Sequence, residues 1–437
     1  MDKILKAKLK MLRESIISPD ADKTEKFFSL LNFSIPCLMG CYVFLNPLSM
    51  AALMELCYYL SILALMILLV FRKTIFTLRS PLTVALALFS LWAVLGLFTT
   101  LDFSNTIHDL RGYLLEYLIV LYLLINFYNS RNRLEMLSII IIASTTIFSI
   151  GGIILYYFIE GHSFNERFGL SFKEMFTGWM CFTTVFAALI SLQRTYRTQI
   201  FIHKLFYFLC FGILSFATLL NQSRGAIIAL FVALVIMSIY RKRTLFLIAV
   251  AIIVPTIIFL PTIKDRIGSQ NIMKDPRSQI YPLALEVIKD YPLTGVGFGG
   301  KIFGNSNLVN LDEYNARLPE QYRQEGILIN GKKMIINATH NTFLDVTIRT
   351  GLVGLALFCA ILLTAFGMLG YVFWRRREEF FRSWSICLFA CLAAYLIQAF
   401  FNDALYGTQG VILYVHLAII GILWNLSLKG HPASLSP

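Results

Sequence analysis

The chain has 437 residues, of which 57% are hydrophobic and 14% charged, with a mean hydropathy of +0.70. That composition excludes an ordinary soluble globular domain and points to a membrane protein with many spans. The net charge of +13 does not indicate a nucleic-acid binder. Most basic residues lie in short tracts between apolar segments, where they set membrane topology.

The first residues, up to about 27, are basic and weakly amphipathic and lack a small-residue cleavage site, so they read as a segment lying on the inner membrane face. Twelve apolar segments follow, each long enough for a hydrocarbon core of about 30 Å. They cover 28–46, 50–71, 82–100, 111–128, 135–159, 174–192, 205–221, 225–240, 244–262, 352–373, 383–401 and 410–428. Only NQSRG separates the seventh from the eighth, so that pair is a tight hairpin or one interrupted helix. The expected organisation is a basic segment 1–27, spans one to nine within 28–262, a loop 263–351, spans ten to twelve within 352–428 and a tail 429–437.

Orientation follows from Lys and Arg. The N-terminal segment, RKTIFTLR, RNR, QRTYRTQIFIHK, RKR, WRRREEFFR and Lys429 fall on one side, whereas the short opposite loops carry only Arg111, Arg167, Lys173 and Arg224. Both termini are therefore expected in the cytoplasm and the long loop on the far face. A transporter built from two six-helix halves would place its long connection between them, and here it follows the ninth span instead.

The long polar run from Lys264 to Gly351 is where chemistry is expected. Ile280, Leu283, Ala284, Val287 and Ile288 are spaced for a helix. Asp275–Pro276 resembles its cap and first turn. Pro282 either kinks that helix or begins it. Both readings put Arg277 at or just before the helix start. HNTFLDVTIRTG reads as a short surface helix that turns at Gly351 into the tenth span.

Four features of the chain, two of them in this run, invite a functional reading. Arg224, in NQSRGA at the outer end of the eighth span, is a cation at the hydrocarbon boundary, costly unless it has a task or snorkels to the headgroups. With Arg277 it can form a clamp for phosphate oxygens. His340 lies among Asn337, Thr339, Asn341 and Thr342 and can take a proton from a sugar hydroxyl, or else is a loop or cap residue. GVGFGGK fits both GxGxxG and GxxxxGK, but Ile302 stands where a Ser or Thr would bind Mg²⁺ and no strand precedes it. It reads as a flexible, tight-turning linker. Glu55 and Glu116 are ionisable residues inside the membrane, read as structural (Glu116 paired with Arg111, for example) ahead of a proton relay. His108, His162, His203, His416 and His431 lack comparable context, and all eight cysteines fall in apolar segments, outside any metal-ligating pattern.

Three motifs in order complete the reading. SRGA after a span, then R-x-x-x-Y-x-x-A-L-x-x-I-x-D-Y-P-L-x-G-V-G-F-G, then H-N-T-F-L-D-V with GLVGL beyond it, resemble the O-antigen ligase and polymerase family. The resemblance covers about 205–370 by motif and the whole chain by topology. It implies an all-α polytopic GT-C-type glycosyltransferase of about 12 transmembrane helices, with a large helical periplasmic loop between spans nine and ten. It further implies a bacterial inner-membrane enzyme using an undecaprenyl-diphosphate-linked glycan as donor and lipid A–core as acceptor, without metal, cofactor or nucleotide. A polymerase would use the same donor, and a lipid-glycan flippase is the reading from another class. The family's motif positions fall on Arg224, Arg277 and His340. His340 is expected as general base and the arginines as stabilisers of the departing diphosphate, with Arg266 and Arg111 as further phosphate contacts. Tyr281 stands where relatives often carry Trp, a departure that touches packing.

Overall fold

The computed structural model describes residues 23–164, 166–168, 180–241, 277–320, 323, 328–329, 332–333 and 339–429. Within them the regular secondary structure is helical apart from a pair of antiparallel two-residue strands, Leu328–Ile329 and Lys332–Lys333. Among the described residues, nine helical stretches are long and apolar enough to cross a membrane. In chain order the first five are Lys23–Leu48 (α1), Ala51–Val70 (α2), Pro81–Phe98 (α3), Phe103–Phe127 (α4) and Arg131–Ile159 (α5). The remaining four are Phe201–Leu220 (α7), Thr342–Arg375 (α11), Glu379–Ala399 (α12) and Gly407–Lys429 (α13).

Three further expected spans complete the comparison. The sixth is seen from Met180 to Arg197 (α6), and the eighth as the 18-residue helix Arg224–Arg241 (α8). The ninth, 244–262, lies outside the described residues, as do Asp275–Pro276. The described residues thus support many spans without fixing the number at twelve.

Local sequence sets the helix starts. Ser80 caps α3, with Pro81 in its first turn and its hydroxyl accepting from the Leu82 amide. Asp102 and Ser130 cap α4 and α5 in the same manner. Between α7 and α8 the turn at Asn221 and Gln222, the latter at φ 54°, breaks the apolar run. These two helices do not form a closely packed hairpin: α8 packs mainly on α12, and α7 on α6.

Among those nine stretches α13 is the most enclosed and α1, α2 and α3 are among the least, and α6 is buried along most of its length. α13 is apolar on all sides, as a central helix requires. In lipid, helices associate through close packing and polar ties more than by hydrophobic burial. Such ties recur here. Tyr128 donates to the Pro36 carbonyl at 2.7 Å, Tyr117 to the Gly407 carbonyl at 3.2 Å and Trp92 to the Thr350 carbonyl at 2.8 Å.

The polar run builds its own small core. Ile280, Leu283, Ala284 and Val287 line one face of Arg277–Asp290 (α9) and pack with Val296, Ile302, Phe303, Ile348 and Tyr314, the last on the short helix Leu311–Arg317 (α10). Pro282 lies inside α9, so the helix does not begin there.

Two expectations are corrected. The stretch Asp345–Gly351 is buried, not a surface helix, because GVGFGGK lies against it. That glycine-rich segment is fixed, not flexible. The Val296 amide donates to the Ile348 carbonyl at 2.7 Å, the Leu101 amide to the Val296 carbonyl at 3.0 Å and the Gly300 amide to Asp109 Oδ2 at 2.6 Å. Gly297 sits at φ 117°, and a Cβ there would stand 1.9 Å from Thr100 Oγ1. Glycine serves close approach at this point, not mobility. The turn at Gly351 is as expected. It interrupts α11 with φ 70° and ψ −176°, where a Cβ would stand 1.9 Å from the Leu293 carbonyl oxygen.

Candidate active site

The turn Phe400–Asp403 between α12 and α13 gathers the three chain segments that carry Arg224, Arg277 and His340. Arg224 is the first residue of α8. The turn before it is anchored by Asn221, whose side chain donates to the Phe168 carbonyl at 3.0 Å and whose carbonyl accepts from Arg167 Nε at 2.9 Å. The next residue, Gly225, is pressed against the Phe401 ring, and a Cβ there would meet its Cδ2 at 2.8 Å. The start of α8 is thereby held to this turn.

Arg277 is half-buried in the first described turn of α9. Tyr281, one turn further along, donates to the Phe400 carbonyl at 3.2 Å and to the His340 carbonyl at 3.4 Å. Its hydroxyl ties the arginine's helix to both the turn and the histidine, a role past packing.

His340 adopts a left-handed backbone, φ 53°, immediately before α11. Asn341 caps that helix, accepting from the Phe343 and Leu344 amides at 2.9 and 3.1 Å. On either side of His340, Thr339 donates to Asp403 Oδ1 at 3.1 Å and Thr342 to the Asn402 carbonyl at 2.7 Å. The His340 amide donates to Asp403 Oδ2 at 3.1 Å, and imidazole Nδ1 lies 3.7 Å from the same oxygen. The imidazole is 41% exposed and the carboxylate 14%. A substrate can reach the ring, while Asp403 is set behind it.

Burial pushes the Asp403 carboxyl above the ordinary aspartate range. The charge on Arg349, the Thr339 hydroxyl and the amides of His340 and Asn341 oppose that rise. Arg349 is itself buried: Nε donates to Asp345 at 2.8 Å, Nη1 to the Phe298 carbonyl at 3.2 Å, and the guanidinium lies 4.0 Å from the Tyr406 ring centre. It joins the glycine-rich loop, the start of α11 and the segment just past Asp403. A carboxylate this close to an imidazole stabilises the imidazolium that forms when the ring takes a proton.

The other sequence candidates lie elsewhere. Arg111 is exposed and donates to the Tyr59 hydroxyl at 3.1 Å. Glu116 accepts from the Tyr42 hydroxyl at 3.1 Å, so its hydrogen-bond partner is a tyrosine and not Arg111. Arg266 lies outside the described residues. His416 is buried, with Nε2 against the Leu388 carbonyl at 3.0 Å, and His162 stacks on Tyr156 at 4.0 Å.

Sequence reasoning missed Asp403, Asp345 and Arg349. The signal for Asp403 was a lone acid in a short connection between two apolar spans, the setting in which an ionisable residue deserves a functional reading. For the buried pair it was an Asp and an Arg four residues apart.

Residues 209–359 match the family model described as O-antigen ligase, which bears out the resemblance carried by the three motifs. The matched stretch holds Arg224, Arg277 and His340 and ends before Asp403. No curated protein matches the chain.

Proposed function

We propose, from the O-antigen ligase match over 209–359, that this chain is a glycosyltransferase of the bacterial inner membrane. It transfers a glycan from undecaprenyl diphosphate to a sugar hydroxyl of lipid A–core at the periplasmic face, with both termini cytoplasmic. The observation that supports it most is the meeting of Tyr281 of the Arg277 helix, Gly225 beside Arg224 and the residues flanking His340 on the turn 400–403.

Each group then has a role set by its chemistry. As the glycosidic bond to the lipid diphosphate breaks, negative charge grows on the phosphate oxygens. Arg224 and Arg277 offer planar forks of N–H donors to those oxygens. The acceptor hydroxyl attacks the anomeric carbon from the opposite side, which inverts it. His340 takes the hydroxyl proton on the ring nitrogen other than the one beside Asp403, and Asp403 balances the imidazolium. The diphosphate leaving group supplies the driving force, so no nucleotide enters the step.

Reconstitution tests the reading. Purified protein receives an undecaprenyl-diphosphate glycan with either lipid A–core or a second lipid-linked repeat. Product on lipid A–core supports a ligase. Chain growth on the lipid carrier makes it a polymerase with the same donor centre. Failure with both acceptors, each verified as competent, overturns the proposal and restores the flippase reading.

A further inference from the structure

A second polar group lies on the outer surface of α2 and α4, among side chains that face the bilayer. Glu55 and Tyr59 are one helical turn apart on α2 and share a face. Leu56, Leu60 and Leu63 around them are exposed, as are Ile107 and Leu115 on α4. The π-helical turn Leu110–Leu115 carries Arg111 out onto this surface, where its Nη2 donates to the Tyr59 hydroxyl at 3.1 Å. Glu55 and Glu116 are within electrostatic reach of the guanidinium. No direct ion pair joins either to Arg111 among the described residues. Glu116 is occupied by the Tyr42 hydroxyl.

Unpaired charges of both signs on a lipid-facing surface are costly, and the cost falls when a ligand meets them. Helical side chains tilt toward the helix N-terminus. For Glu55 and Tyr59 that is the α1–α2 turn, the end of α2 where headgroups lie. We propose that Glu55, Tyr59 and Arg111 form a headgroup site for a phospholipid carrying both a phosphate and a primary ammonium, a phosphatidylethanolamine. Arg111 and Tyr59 donate to the phosphate oxygens, and the ammonium, one short tether away, donates to Glu55. A purely anionic headgroup would meet Glu55 and Glu116 and be repelled. A quaternary ammonium has no N–H to give the carboxylate. The site is independent of the glycan-transfer reading and of the turn 400–403.

The test uses full-length protein, delipidated in detergent, with phosphatidylethanolamine, phosphatidylglycerol and phosphatidylcholine compared by native mass spectrometry and by shift in unfolding temperature. Wild type should prefer phosphatidylethanolamine by about tenfold, the equivalent of ~1.4 kcal/mol. Glu55→Gln should bring it to the level of phosphatidylglycerol, and Arg111→Gln should weaken all three. Unfolding of each variant without lipid shows that the fold is kept, and Glu55→Gln alone suffices if Arg111→Gln is unstable. Equal binding of the three lipids by wild type, or a preference that survives Glu55→Gln, overturns the proposal.

Discussion

His340 meets one oxygen of Asp403 twice, through its backbone amide at 3.1 Å and its imidazole Nδ1 at 3.7 Å. His340 has a left-handed backbone; the carboxylate fixes the loop through the amide and faces the ring as a nearby charge, past hydrogen-bond length. Asp403→Asn keeps an oxygen for Thr339 but removes the charge and turns an NH2 donor toward the His340 amide. Transfer should fall by about 10²-fold or more, the usual weight of general-base assistance. The unfolding temperature should fall, because the amide offers one acceptor where the carboxylate serves both Thr339 and the His340 amide, a loss of about 1–3 kcal/mol. Reconstituted transfer and thermal unfolding of the same preparation check both halves.

Stability and activity should run in opposite directions with pH at this residue. Burial raises the Asp403 carboxyl, so the folded protein holds its proton more tightly than the unfolded chain does. The resulting stabilisation is complete at low pH and is lost as pH rises through the raised pKa. On the proposed mechanism activity needs the carboxylate to balance an imidazolium, so it should climb over the same interval. Unfolding temperature and initial rate, followed together from the acid side, should cross in wild type. In Asp403→Asn this contribution to the stability change should disappear.

Arg277→Ala and Arg224→Ala should each lower transfer by about 10²–10³-fold, the scale of losing one donor to developing charge. Lysine should restore only part, because a point charge replaces a planar fork. Lys301→Ala should transfer at the wild-type rate without added nucleotide. Its amide is held by Asn105 at 3.0 Å, and the mutation leaves that bond in place. A rate loss at Lys301 would reopen the phosphate-loop reading of GVGFGGK.

Glycines of this chain should divide sharply under alanine substitution. Gly297→Ala and Gly351→Ala put a Cβ where Thr100 and the Leu293 carbonyl already stand, both at positive φ. Each should cost about 1–3 kcal/mol or more. Gly367, inside α11 with nothing within 4 Å of an added Cβ, should accept alanine with a gain of up to about 1 kcal/mol. Thermal unfolding in one detergent compares the three.

Breaking the Arg349–Asp345 pair from one side should be among the costlier changes. Arg349→Leu leaves Asp345 buried and uncompensated, for about 3–5 kcal/mol. Denaturation midpoints of the single and double variants, with Asp345→Leu as the partner change, separate the pair's contribution from its desolvation.

Helical periodicity and charge made much of this legible. The apolar face of α9, the break at Gly351 and the nine long spans all follow from side-chain spacing and composition. The motifs put Arg224, Arg277 and His340 in one frame. What spacing could not show is which distant segment each would meet. Asp403 lies in a four-residue turn without a periodic pattern, and its partnership with Thr339 and His340 exists only after the bundle closes. GVGFGGK misled for a related reason: glycine permits both looseness and tight contact, and the deciding atoms, on Thr100 and Ile348, are far away in the chain. Pro282 shows the same limit, since a proline near a helix start reads equally as a first residue or an interior one.

The turn Phe400–Asp403 comes later in the chain than every segment it gathers. While the protein is being made and threaded into the bilayer, Arg224, Arg277 and His340 emerge first and wait without a common anchor. Only when α12 has entered, and Phe401 and Asp403 follow it, can Gly225, Tyr281 and Thr339 find their partners. On the proposed mechanism, a chain cut short before Phe401 and Asp403 should transfer nothing, so the order of translation delays the chemistry until the bundle is nearly complete.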